Sequence, residues 1–160
     1  MTGPLAALGA RFAFNDRLFS MVTEGFGASD WRHRPEGGGN SAVWVAGHVA
    51  AYRRTLLRKL GDEIPDEPWE KDFATGVPCK DASAYPPAER LAKDFLASGP
   101  RLAERLCAMA AAEADAPWGH AFPDGSTTVA GGAGFLQLHE TYHLGQLGYI
   151  RRTRGKKGFV

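Results

Sequence analysis

The sequence predicts an all-α protein, a four-helix bundle with one long crossover connection. Three observations carry that expectation. Four segments place apolar residues at steps of three and four, the period of one helix face. No alternation of the kind a half-buried strand needs persists anywhere, and one joining segment is much longer than the others.

The first helix is expected from about residue 4 to about residue 25, where Leu5, Leu8, Phe12, Asn15, Phe19, Val22 and Phe26 recur on one face. A loop follows at 28–39, "ASDWRHRPEGGG", with Pro35 and three consecutive glycines. Asn40 or Ser41 then offers an N-cap to "AVWVAGHVAAYRRTLLRKL", a second helix closed at Gly61 with Arg58 and Lys59 in its last turn. Residues 62–85 hold Pro65, Pro68, Gly76 and Pro78 among acids, a long connection of a kind that is disordered, lid-like or laid across the end of a bundle. Pro86 and Pro87 introduce a third helix bearing Leu91, Phe95, Leu102, Leu106 and Met109. Its Ser98-Gly99-Pro100 is expected to kink or split it. After the turn-rich "DAPWGHAFPDGST", a fourth helix sets Phe135, His139, Tyr142, His143, Gln146 and Ile150 on one stripe, with Gly131, Gly132 and Gly134 near its start permitting close backbone approach. All 160 residues are expected to form a single domain.

Composition is that of a soluble globular protein, and a net charge of +1 supplies no electrostatic reason for a nucleic acid partner. Two cysteines, Cys79 and Cys107, without C-x-x-C spacing suit a reducing cytoplasm, and no apolar run is long enough to span a membrane. A cytoplasmic location is the expectation. The one basic run, "RRTRGKK" at 151–157, reads as a helix C-terminus followed by a frayed tail, the alternatives being an anion clamp or a weak nucleic acid patch.

The chemistry concentrates in "HETYHLGQ", His139 to Gln146. H-E-x-x-H is the spelling of a zinc protease helix, but such enzymes take a third ligand from downstream. No acidic residue follows Glu140 and no histidine follows His143, so the protease reading fails. His139 and His143 nevertheless stand one turn apart on an inward stripe, where an unpaired polar group costs about 1–3 kcal/mol. His48 lies on a second inward stripe, with Trp44, Ala51 and Thr55. Three imidazoles on facing helices suit a divalent cation, Zn²⁺, Ni²⁺ or Fe²⁺, with coordination positions left open. His33 and His120 fall in loops.

Other residues near this constellation carry two readings each. Glu140 is either a general base beside the metal or a residue on the helix flank paired with Arg53, Arg54 or solvent, the latter being favoured. Asn15, polar on an apolar stripe, is a donor to a ligand or a hydrogen-bonded core group. Gln146 contacts substrate or the helix opposite. Trp44, Trp31 and Tyr142 line a pocket or are plain core, and Gly145 and Gly148 leave room for another helix, such as a second subunit's.

"SAVWVAGHVAAYRRTLLRKLG" resembles the second helix of the DinB-like (DinB/YfiT) family of metal-dependent enzymes, "HETYHLGQLGYIRR" resembles that family's last metal helix, and "FNDRLFSMV" is similar to its first. The resemblance implies an up-down-down-up four-helix bundle, often dimeric, whose divalent metal is held by residues matching His48, His139 and His143. Characterised members include thiol-dependent S-transferases and a thiol-dependent isomerase. The Ser98-Gly99-Pro100 break departs from the family's uninterrupted third helix and implies an altered pocket wall. Together, residues and resemblance lead us to expect a Zn- or Ni-dependent enzyme that activates a low-molecular-weight thiol, or water, against a small electrophile. The alternative is a non-catalytic bundle that binds metal or a small ligand in a stress response.

Overall fold

A computed structural model describes residues 3–158. The apolar stripes become six helices: α1 (Ala6–Thr23), α2 (Ala28–Arg32), α3 (Ala42–Lys59), α4 (Ala88–Ala108), α5 (Ala111–Ala114) and α6 (Val129–Thr153). The four long ones form the bundle, and the described residues contain no strand, only an isolated antiparallel bridge between Pro117 and Thr128. None of these helices is long and apolar enough to cross a membrane.

Pairwise contacts give the directions. Along α1 and α4 the partners run in opposite order, since Gly3 N–H donates to Cys107 O, Gly9 lies against Ala103, and Phe19 stacks on Phe95 at 4.5 Å. Between α3 and α4 they run in the same order, from Arg53 with Phe95 O to Leu60 O with Arg105. Asn15 with Glu140 and Glu24 O with Arg151 set α1 and α6 parallel. The bundle is therefore up-down-down-up, and the parallel step from α3 to α4 forces the chain between them to travel the bundle's length.

That crossover, 60–87, is neither disordered nor loose. Glu70 accepts from Arg54 Nε at 2.6 Å and from Arg58 Nη1 and Nη2 at 2.8 and 2.7 Å, while Phe73, Trp69 and Tyr85 are buried beneath the segment. Phe73 stacks on Tyr85 and meets Trp69 edge-on. The basic run at the other end is equally tied down. Arg151 donates to Glu24 O, and Arg154 and Lys156 pair with Asp30, whose carboxyl is lowered to about 2 by the Gly27 N–H and these two cations. The run 151–157 is thus docked rather than frayed.

α4 runs as one helix through Ser98-Gly99-Pro100, so the chain does not split there. The reason lies in Arg53, 1% exposed and set among all four long helices. Its five N–H groups meet five acceptors: Nε and Nη2 grip Glu140 Oε2 and Oε1 at 2.7 and 2.8 Å, Nη1 reaches Asp16 Oδ1 and Phe95 O, and Nη2 reaches Phe12 O. The guanidinium lies 3.6 Å from the Phe95 ring centroid. Phe95 O also accepts from Ser98 Oγ at 2.6 Å, and a Cβ on Gly99 would fall 1.9 Å from Asp16 Oδ2. Ser98 and Gly99 thus shape α4 to receive the charge cluster.

Burial pushes the Glu140 and Asp16 carboxyls upward while Arg53 opposes it, and the two carboxylates outweigh burial in holding the guanidinium above its ordinary range. Arg53→Leu strands both carboxylates and should lower stability by about 3–5 kcal/mol in urea unfolding. Arg53→Lys should recover only part of that loss, because an ammonium cannot reproduce the five-donor fork.

Candidate metal centre

His48 stands in the buried middle of α3, whose start is capped by Ser41 Oγ accepting from Trp44 N–H. His139 and His143 project from the adjoining face of α6. The three ligand nitrogens lie within 4.8 Å of one another, with His139 Nε2 at 3.2 Å from His48 Nε2 and 3.1 Å from His143 Nε2. His48 and His143 are buried, and His139 is half-buried.

The outer edges of two rings determine their tautomers. His48 Nδ1 donates to Phe73 O at 2.6 Å and His143 Nδ1 donates to Gln146 Oε1 at 3.1 Å, which leaves both Nε2 atoms as bare lone pairs aimed at His139. A neutral His139 has one proton and can bridge only one of those two contacts. A cation among the three nitrogens satisfies all of them. Metal–nitrogen bonds of about 2.0–2.1 Å at tetrahedral angles place ligand nitrogens about 3.3 Å apart, close to the 3.2 and 3.1 Å that separate His139 Nε2 from the other two. The residues present therefore fit a divalent ion with positions left open.

Electrostatics favour the same state. Burial lowers His48 to about 3, with the neighbouring His143 adding to the effect, and lowers His139 to about 4; His143 is lowered by burial too, against the pull of Gln146. All three are neutral, and so able to ligate, near pH 7.

Two details hold His48 in place. A Cβ on Gly47 would lie 2.2 Å from Phe73 Cζ, so the missing side chain is what lets the Phe73 ring seat and bring its carbonyl to His48. Trp44 stacks on the imidazole, ring centroids 4.4 Å apart and planes 18° from parallel, its Nε1 buried without a partner. Tyr52, one turn beyond His48, packs against His48 and His139 at 4.7 and 4.9 Å, with its hydroxyl on Thr75.

The sequence-derived candidates thus fall into two groups. Trp44 and Gln146 touch the imidazoles directly. Glu140 and Asn15 belong to the Arg53 cluster: Asn15 Nδ2 donates to Glu140 Oε1 at 2.9 Å and to Thr141 Oγ1 at 3.1 Å, and Glu140, 3% exposed, lies in the core rather than on a helix flank. Asn15 is thereby a hydrogen-bonded core group. Trp31 is buried, while Tyr142 and Thr55, placed above on inward stripes, are exposed, because each sits at the edge of its helix's buried arc. Phe73 escaped notice because its backbone carbonyl does the work. Tyr52 carried a signal in its four-residue spacing from His48, and Gly47 in being the only glycine of its helix.

An all-helical bundle presenting a three-histidine cluster that can hold one metal ion is the class this architecture defines. A family model described as the DinB superfamily matches residues 11–147, and the chain belongs to that superfamily. No curated protein matches it.

Gly47→Ala should displace Phe73 and weaken metal affinity about 10- to 100-fold in competition with a chromophoric chelator. Acid should act in a defined direction on the metal-free protein. Its histidines bind protons less readily folded than unfolded, so their contribution to stability is whole above pH 6.5 and is lost as pH falls toward about 4 and then 3. Thermal melts across that range, compared with His139→Asn, check the sign.

Proposed function

We propose that this protein is a divalent-metal-dependent enzyme, with Zn²⁺ or Ni²⁺ at His48, His139 and His143, that activates a small thiol against an electrophilic small molecule. The observation that carries it is the convergence of three neutral imidazoles, two of them with their outer N–H groups already engaged. An ion held there by neutral ligands keeps its full charge and supplies the stabilisation that makes a thiol, or water, a nucleophile near neutral pH.

The chain's own residues narrow that choice. Phe73 O and Gln146 hold the imidazole planes, and Trp44 and Tyr52 pack against them. Glu140, the sequence-adjacent base, has both oxygens on Arg53 and one also on Asn15, so it works as a positioning residue. A thiol needs no such base once its proton is lost to solvent, whereas water attack generally recruits one. S-transfer is thus preferred over hydrolysis. The same observation supports a second reading, a non-catalytic metal- or ligand-binding protein of a stress response, since the carboxylate next to His139 is committed to Arg53 and Asn15.

We further propose a cytoplasmic homodimer, formed across Leu138, Tyr142 and Tyr149, which are exposed on one face of α6 with Gly145 open beside them.

Purified protein should carry about one metal per chain, and His48→Ala should lose it. Turnover of chlorodinitrobenzene or monochlorobimane with a panel of bacterial thiols, abolished in His48→Ala, supports the enzyme; full metal loading with no turnover across that panel supports the binding protein. Metal content near zero that reloading cannot raise sinks both.

A further inference from the structure

Two adjoining cavities lie where α2 meets the end of the crossover. One, of about 530 Å³, is lined by Arg32, Arg34, Cys79, Lys80, Asp81 and Ser83. The other, of about 330 Å³, is walled by Trp31, Val43, Tyr85, Pro86 and Pro87, and Glu89 lines this one alone. Arg32, Ala82 and Ser83 belong to both, so the two are halves of one groove.

The halves differ in kind. Arg32 is exposed and, among the described residues, makes neither an ion pair nor a side-chain hydrogen bond. Arg34 gives Nε to Gly39 O at 2.6 Å, which fixes its guanidinium and leaves both Nη groups without a partner among the described residues. Paired N–H groups of this sort fit the two oxygens of a carboxylate or a phosphate. Lys80 is already paired with Asp72 at 2.6 Å. Asp81 is the one acid of that wall, and its Oδ1 accepts from Ser83 N–H and Oγ–H at 2.8 and 2.6 Å rather than from an arginine. The Ser83 hydroxyl and N–H hold this carboxyl below its ordinary range, with the charge of Arg32 a lesser cause. Two guanidiniums with donors to spare thus face one engaged carboxylate.

The second half is apolar. Trp31, Val43 and Tyr85 are buried members of the core that also line it, so its wall is stiff. Glu89, in the first turn of α4, repels an anionic group placed in this half. A molecule with one apolar and one anionic end therefore has a single favourable orientation along the groove. We propose that the groove is a second binding site, separate from the histidines, for a small amphipathic anion. A carboxylate or phosphate sits on Arg32 and Arg34, and an aromatic or short acyl body lies against Trp31 and Tyr85. No imidazole of the cluster lines the groove, so its occupation requires no metal ion.

The test reads binding. The full chain, metal-free and zinc-loaded, is titrated with phenylacetate, phenyl phosphate, phenylacetamide and acetate, while NMR follows the backbone amides and the Trp31 indole N–H. One or both of the aryl anions should shift Trp31, Arg32, Arg34 and Ser83 saturably and alike in the two forms, and the stronger of them names the head group. Phenylacetamide has the shape without the charge and acetate the charge without the ring, so each should bind about tenfold more weakly or worse. The double variant Arg32→Gln, Arg34→Gln changes exposed positions only and should weaken the aryl anion about five- to tenfold. Cys79, in the groove wall, gives a second readout: the bound anion should slow its alkylation by iodoacetamide and leave that of Cys107 unchanged. No saturable shift with either aryl anion, equal binding of phenylacetamide, shifts confined to the histidines or to another surface, or an unaltered affinity in the double variant overturns the proposal.

Discussion

The bidentate contact between Arg53 and Glu140 holds the rest of the structure in register. Arg53 stands five residues after His48 on α3, and Glu140 directly follows His139 on α6. Rotating α6 so that Glu140 meets the guanidinium also turns His139 and His143 toward His48, because residues one, three and four apart on a helix have fixed angular relations. A slip of α6 by one residue would carry Glu140 away from Arg53 and the imidazoles away from one another together. Buried ion pairs are weak sources of net stability but effective selectors of one arrangement among several. Here the arrangement selected is the one that brings the three histidines together.

The same cluster explains features that otherwise look like defects. Asn15 interrupts the apolar stripe of α1 to satisfy a Glu140 oxygen, and Ser98 and Gly99 weaken α4 locally to receive Arg53 and Asp16. A second network does comparable work on the opposite side of His48. Arg54 and Arg58 hold Glu70, Glu70 begins the 3₁₀ turn that ends at Phe73, and Phe73 O accepts the hydrogen bond from His48 Nδ1–H. One stretch of α3, Gly47 to Arg58, therefore fixes both the partner helix and the crossover segment. The centre is supported from two sides by residues whose charges never face it.

Helical period made the four long helices and the inward stripes that carry His48, His139 and His143 legible in the sequence, since each rests on spacing within a single element. The crossover was legible only as a length. Its order comes from Phe73, Trp69 and Tyr85 finding a groove on α3, a contact between distant segments that no local pattern announces. Local rules expected a break at Ser98-Gly99-Pro100, whereas α4 continues through it with Phe95 O bonded to Arg53 and Ser98 and with Gly99 packed against Asp16. Glu140 is the instructive case: it directly follows His139, yet a one-residue step on a helix turns it about 100° away from that imidazole.

That step also bears on the chemistry. With Glu140 spoken for, the imidazole cluster is bounded by Trp44, Tyr52, Phe135 and the amide of Gln146, groups that shape and orient it. A site of that kind can still lower the proton affinity of something bound to it through the charge of an ion alone. Thiols, whose protons leave within a few units of neutrality, need far less help than water does. The three neutral imidazoles and the occupied carboxylate thus belong together: the charge balance of Glu140 is met by Arg53, and the histidine cluster is left as a neutral donor set that can hold a metal ion.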